Sequence, residues 1–444
     1  MSSQTDTPAA PKSKNIGLVA AISIGVGGMI GAGIFSILGV VASISGSAMA
    51  ISFLIGGIVA IFAAYSYVQL GKAFPSVGGA VTFLVRGWGT GVATGTLNLF
   101  QYFAYVISIA LYATGFAAYA NTFLKIDPKI WAVAVILAFT LVNFVGSRLM
   151  GRAESVIVII KVAILIVFII AALVSISPTG EGRLNPDTFP TPLLMLTGAG
   201  VLFVGYEGFG LITNAGANMK NPKREIPRAI YISVAIVIVI YVLVAIGVTI
   251  NVPLTQLKGL GDSALAVAAE PSLGKMGFTL IAIAALLSTS SAVNATLFGS
   301  ANVAYQVAKN GNLPPVFYRQ LWGKDVEGLF ITAALCIIFV LIFPLSAVAS
   351  MGSAGFLVVY AAVSIGHLRI RKQTGAKAWP VVVSIVLCLA LFVVLFTYMV
   401  QNDLSSAIAL AATMLASFLI EVIWRRVKKR DFSGLMKDTD PQKA

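Results

Sequence analysis

Twelve long apolar runs dominate the chain, near residues 16–44, 48–70, 92–123, 130–148, 155–176, 193–216, 228–250, 276–305, 329–346, 348–368, 379–400 and 404–424. A helix needs roughly 20 apolar residues to cross the hydrocarbon of a bilayer, and turn residues or charges separate each run from the next. The third and eighth runs are longer than one crossing needs, which implies tilt or extension beyond the bilayer. The runs are continuous, so the ten-residue alternation of a membrane β-barrel is excluded. Composition agrees: 58% of the residues are hydrophobic and 10% charged, against about 25% charged in soluble domains. The expected fold is an all-α integral membrane protein with twelve transmembrane helices.

The cations give an orientation. With the N-terminus placed inside, twenty-four of the thirty Lys and Arg residues fall in inside segments. Five fall outside: Lys125, Lys129, Arg183, Lys258 and Lys275. Such a bias puts both termini in the cytoplasm and accounts for the net charge of +14 without a nucleic-acid partner. The polar residues 1–14 read as a disordered cytoplasmic tail with no signal peptide, and residues 425–444 as a basic cytoplasmic tail. The expected location is the plasma membrane. Cys336 and Cys388 lie in apolar runs and read as small core residues. The one histidine, His367, supplies neither a metal set nor a catalytic triad, so no enzyme activity, metal or cofactor is expected.

Glycines interrupt two of the runs. The first contains 25-GVGGMIGAGIF-35, and the sixth contains 203-FVGYEGFG-210. Each interior glycine costs a helix about 1 kcal/mol relative to alanine. Backbone groups freed at membrane depth survive only inside protein or beside water. Broken helices at matching positions in two halves point to an inverted-repeat transporter with a midplane site. The competing reading is close helix packing, and Gly27 with Gly31 has the GxxxG spacing for it. In the sixth run no two glycines stand four apart.

Two ionisable residues lie well inside the runs, Lys161 in the fifth and Glu207 in the sixth. A central charge costs about 2.5–3.5 kcal/mol on insertion scales, so it pairs, faces water or serves a function. Lys161 lies roughly 9 Å above the start of its run, near enough for its stem to snorkel. The functional reading is a proton site, gripping carbonyls and hydroxyls when charged and letting go when neutral. The 288-STSS-291 cluster of the eighth run offers such hydroxyls. For Glu207 three roles stay open: a second proton site, a counter-charge for a cationic substrate, or a partner for Tyr206 or Tyr102.

The segments GGMIGAGIF, 65-YSYVQLGKAFPSVGGAVTFLVRGWG-89 and 203-FVGYEGFGLITNAGANMKNPKREIPRAI-230 resemble the amino acid–polyamine–organocation (APC) superfamily over nearly the whole chain. With 146-GSRLMGRAESVIVIIK-161 and the serine-rich eighth run, the chain is most similar to the ApcT-type, proton-coupled amino acid transporters. The resemblance implies the LeuT-type fold of two inverted five-helix repeats, here 15–176 and 193–368, with two additional C-terminal helices over 379–424. It implies that the amides of Ala32 and Gly33, with Ile34 adjacent, receive the substrate carboxylate, and that the carbonyls of Met29, Val201 and Val204 receive its ammonium. Ile30, Gly31, Phe203, Tyr206 and Glu207 complete the implied substrate site. It also implies that Lys161 takes the place of a coupling sodium ion near the Gly27 carbonyl, with Ser288 or Ser291 as hydroxyl partners. Gln69 and Ala217 stand where many members of the superfamily carry glutamate, so gating contacts do not transfer.

The function implied is secondary active uptake of an amino acid or small amine, coupled to protons by alternating access. The alternative is an exchanger of a basic amino acid or polyamine with Glu207 as counter-charge. Membrane lipids are the expected surroundings, and the sequence leaves the oligomeric state open.

Overall fold

A computed structural model describes residues 16–76, 78–145, 150–175, 181–257, 261–309 and 327–427. The tail expected at 1–14 and most of that expected at 425–444 lie outside the described residues. Among those residues the chain is helical, with one isolated parallel bridge, Ile16 to Met219, as its extended pairing.

Helix α1 (Leu18–Ser45) passes through a short turn at Gly46–Ala48, where Gly46 has φ +50°, into α2 (Met49–Ala73). The short α3 (Ala80–Trp88) leads into α4 (Val92–Phe123), α5 (Pro128–Val145) and α6 (Met150–Val174). Next come α7 (Pro192–Leu202) and α8 (Phe209–Asn214), which share one interrupted crossing, then α9 (Pro222–Asn251) and a single turn, α10 (Leu254–Leu257). Helix α11 (Ala264–Lys309) is two helices meeting at Gly274, whose φ of +65° no helical residue adopts. The apolar run read from 276 begins just past this kink. The last four are α12 (Glu327–Ile342), α13 (Leu345–Thr374), α14 (Ala378–Asn402) and α15 (Leu404–Val427).

Ten stretches among the described residues are long and apolar enough to cross a membrane. The first, Leu18–Ala73, holds both α1 and α2, and the apolar part of α12, Gly328–Ile342, is shorter than the ten. Burial sorts the helices into an inner and an outer set. The apolar windows of α4, the α7–α8 crossing and α13 are 78%, 83% and 89% buried, against 22% for α5 and 28% for α14 and α15. The outer helices turn large apolar side chains outward, among them Leu137, Leu141, Val386, Val393, Ile408 and Leu415. Faces so apolar suit lipid and not water.

The inner helices touch at backbone distance. A Cβ built on Gly87 would fall 2.5 Å from the Gly366 Cα, so α3 and α13 meet where neither has a side chain. Close approach through small residues is how membrane helices gain contact when lipid gives no hydrophobic drive. This packing places α1, the α7–α8 crossing, α6, α9, α11 and α13 around one buried region.

Candidate functional site

The sixth apolar run is interrupted, as its sequence suggests. Helix α7 stops at Leu202, residues Phe203–Tyr206 form a tighter 3-10 turn, and α8 resumes at Phe209. Bonds of the i to i−3 kind carry the chain through, from Glu207 N to Val204 O (3.2 Å) and from Gly210 N to Glu207 O (3.0 Å). Neighbouring helices satisfy the groups this frees. Ser353 on α13 accepts from Val204 N at 2.8 Å and donates to Val201 O at 2.5 Å. The Tyr241 hydroxyl on α9 donates to Gly205 O at 3.2 Å, and that of Tyr360 on α13 to Glu207 O at 3.0 Å.

The first run differs from expectation. Helix α1 is continuous through 25-GVGGMIGAGIF-35. Its glycines serve contact instead of unwinding: a Cβ on Gly28 would lie 3.1 Å from the Gly208 Cα, one on Gly33 2.8 Å from the Gly205 Cα, and one on Gly31 2.9 Å from the Ala292 Cβ. Glycine lets α1 lie directly on the broken crossing and on α11. In a continuous helix the amides of Ala32, Gly33 and Ile34 bond carbonyls one turn back, so the expected free donors are not presented in this conformation. Met29, Ile30 and Ile34 are fully buried, as are Val201, Phe203, Val204 and Tyr206 across the contact.

Three neighbouring helices send donors to the α1 carbonyls between Gly27 and Ile30. The Lys161 Nζ, on α6 and fully buried, donates to Gly27 O at 2.9 Å. Tyr241 donates to Met29 O at 2.6 Å, and Ser288 on α11 to Ile30 O at 3.2 Å. Lys161 therefore reaches inward to the glycine segment and does not snorkel. The expected proximity to Gly27 is present; Ser288 gives its proton to Ile30 O, and Ser291 is buried on the same helix. Two carbonyls read as ammonium receivers, Met29 and Val201, already accept protein donors.

Glu207 follows the 3-10 turn and is 2% exposed. Neither partner considered from sequence serves it: Tyr206 donates to Phe53 O at 2.8 Å, and Tyr102 pairs with Thr332 Oγ1 at 2.9 Å. Its neighbour is Tyr105 on α4. The Glu207 Oε1, the Gln101 Oε1 and both amide atoms of Asn98 are buried and find no hydrogen-bond partner among the described residues. Asn98, Gln101 and Tyr105 are three or four residues apart, so they share one face of α4. Aromatic rings wall this region: Tyr360 stacks on Phe209 at 5.2 Å and meets Tyr67 edge-on at 5.1 Å. Sequence reading missed Tyr105, Tyr241, Ser353 and Tyr360. Tyr241, the one aromatic residue of 235–250, carried the clearest signal. Among the described residues no cluster of His, Cys, Asp and Glu could hold a metal ion.

A crossing interrupted at depth, with a buried lysine and a buried carboxylate beside it, defines a multi-pass helical membrane protein of transporter type. A family model described as amino acid permease matches residues 16–419, and the chain belongs to that family, within the APC superfamily. An uncharacterized protein of Methanocaldococcus jannaschii is 42% identical over 96% of this chain and 98% of its own length. The inner membrane transport protein YbaT of Escherichia coli is 33% identical over 94% of this chain and 97% of its own. The branched-chain amino acid permease BcaP of Lactococcus lactis is 26% identical over 80% of this chain and 81% of its own. The family is one of transporters.

Proposed function

We propose that this protein is a proton-coupled amino acid transporter of the plasma membrane, working by alternating access. The observation that carries the reading is the 2.9 Å bond from the buried Lys161 Nζ to the Gly27 carbonyl. A charged ammonium binds a carbonyl roughly twice as strongly as a neutral donor does. Proton loss therefore weakens the tie between α6 and α1, and that change biases how the two helices pack. The proton is the coupling ion, and no cofactor takes part.

The chain crosses twelve times, with inverted repeats over 15–176 and 193–368, two further crossings over 379–424, and both ends cytoplasmic. The substrate sits between α1 and the Phe203–Tyr206 turn. Its carboxylate meets the amides of Ala32, Gly33 and Ile34 when α1 opens at its glycines, and its ammonium meets carbonyls of Met29, Val201 and Val204 released from Tyr241 and Ser353. The family model and the names of the relatives support an amino acid substrate.

The test is uptake into proteoliposomes under an imposed pH gradient, with substrates first chosen by a thermal-shift screen across the amino acids. Lys161→Ala is expected to lose gradient-driven accumulation while still binding substrate. Wild-type accumulation in that variant, or uptake by the native protein that needs internal substrate and ignores the pH gradient, overturns the proposal.

A further inference from the structure

Away from this site, a cavity of about 560 Å³ opens on the outer surface where α2, α9 and the corner between α13 and α14 meet. Phe62, Tyr65, Gln69, Tyr231, Lys377 and Trp379 line it. Its floor belongs to a row along α2. Leu54, Ile58 and Ile61 are exposed, and Tyr65 and Gln69 continue the same face at spacings of three and four. From Leu54 to Gln69 this row runs roughly 22 Å at 1.5 Å per residue, longer than the roughly 15 Å half-thickness of a bilayer's hydrocarbon. The flanking helices extend the apolar surface with exposed Ile236 and Val239 on α9 and Val382 and Val386 on α14.

The two ends of the row differ in chemistry. The Leu54 end is purely aliphatic. At the other end Lys377 is exposed in the cavity wall, and the Lys72 Nζ donates to the lining Gln69 Oε1 at 3.3 Å. The Tyr65 hydroxyl accepts from the Lys377 backbone N–H at 2.9 Å, which leaves its own proton for another acceptor. Arg228 stands exposed one turn before Tyr231 on α9. Among the described residues no carboxylate lines the cavity. Tyr65, Tyr231 and Trp379 are the amphipathic rings that settle at the level of lipid headgroups.

The complement of such a surface is a molecule with an anionic, hydrogen-bond-accepting head and a long aliphatic tail. We propose that the cavity seats the headgroup of an anionic phospholipid, its phosphate between Lys72, Lys377 and the Tyr65 hydroxyl, with one acyl chain along the α2 row. Cationic side chains at a membrane surface attract anionic lipid, so a site with two lysines discriminates by charge. The inference goes beyond the transport reading and requires no part of it.

Trp379 reports occupancy directly. The full chain is reconstituted in phosphatidylcholine vesicles containing a low fraction of phosphatidylglycerol or phosphatidylcholine with brominated acyl chains, and the Trp379 signal is isolated by difference from Trp379→Phe. Brominated phosphatidylglycerol is expected to quench that signal several-fold more than brominated phosphatidylcholine at equal fraction. Lys72→Gln with Lys377→Gln is expected to abolish the difference, with an unchanged gel-filtration position showing that the doubly substituted protein is folded. Equal quenching by the two lipids, or a preference that survives the double substitution, overturns the proposal. So does the absence of quenching by either lipid, the outcome if another protein surface covers the groove.

Discussion

Lys161 and Tyr241 hold carbonyl groups of α1 that stand two residues apart, one with an ammonium and one with a phenol. Their visibility in the sequence differs because their costs differ. A charge within an aliphatic run is expensive enough to mark itself, whereas a tyrosine is an ordinary membrane residue and its partners, Met29 and Gly205, lie far off in the chain. Ser353 and Tyr360 escaped notice for the same reason. Tyr241→Phe would remove the one hydroxyl that serves two buried carbonyls, and leaving a buried acceptor short of its donor costs about 1–3 kcal/mol. A lowered melting temperature in detergent is the expected result, and an unchanged one would show that the phenol is dispensable. Gly208→Ala is the steric counterpart. Its Cβ would lie 2.5 Å from the carbonyl carbon of Gly28, which as backbone cannot turn aside. Overpacking of this kind costs typically 1–3 kcal/mol, and size-exclusion profiles together with melting curves would register it.

At the scale of elements, two glycine-rich runs had different fates. The segment with fewer glycines, 203-FVGYEGFG-210, leaves the α-helix, while 25-GVGGMIGAGIF-35 stays inside one. Glycine count measures only how readily a helix can open. Whether it does is decided by what stands opposite, here Gly28 against Gly208 and Gly33 against Gly205. That pairing joins residues some 175 positions apart, so a local reading of either run could not supply it. The corner between α14 and α15 shows a local device that sequence does carry. Asp403 accepts from the Ser405 hydroxyl at 2.6 Å and the Ser406 amide at 3.3 Å, capping the first turn of α15. Burial pushes its carboxyl up, but the bonds from Ser405 and Ser406 outweigh that and hold it below the usual carboxylate range. A depressed value means the cap contributes fully above the ordinary carboxylate pKa and is lost as pH falls through the lowered one. Amide exchange in the first turn of α15 is expected to quicken over that acidic interval, corrected for the intrinsic pH dependence, and Asp403→Asn to flatten the response.

At the scale of the whole molecule, the all-helical membrane architecture was written in run length and composition, which need no knowledge of tertiary contacts. The described part of every apolar run falls mainly on helix, although the turn at Gly46–Ala48 and the brevity of α12 blur the division into crossings. Lys and Arg bias gives the orientation its test. Cys336 and Cys388 are buried, so a single introduced cysteine reports its own side. Lys125→Cys is expected to react with an impermeant maleimide from outside intact cells and Lys220→Cys only after permeabilisation; the reverse pattern would invert the topology. The bridge between Ile16 and Met219 bears on how such a molecule moves. The amide of Ile16 donates to Asn218 O at 3.2 Å, and the amide of Lys220 to Ile16 O at 3.4 Å. The residues just ahead of α1 are thereby stitched to those just beyond α8, main chain to main chain. Swinging either end away from the other requires unzipping this two-bond seam, a latch whose strength is indifferent to side-chain identity and which Lys220→Pro, by deleting one donor, would leave half fastened.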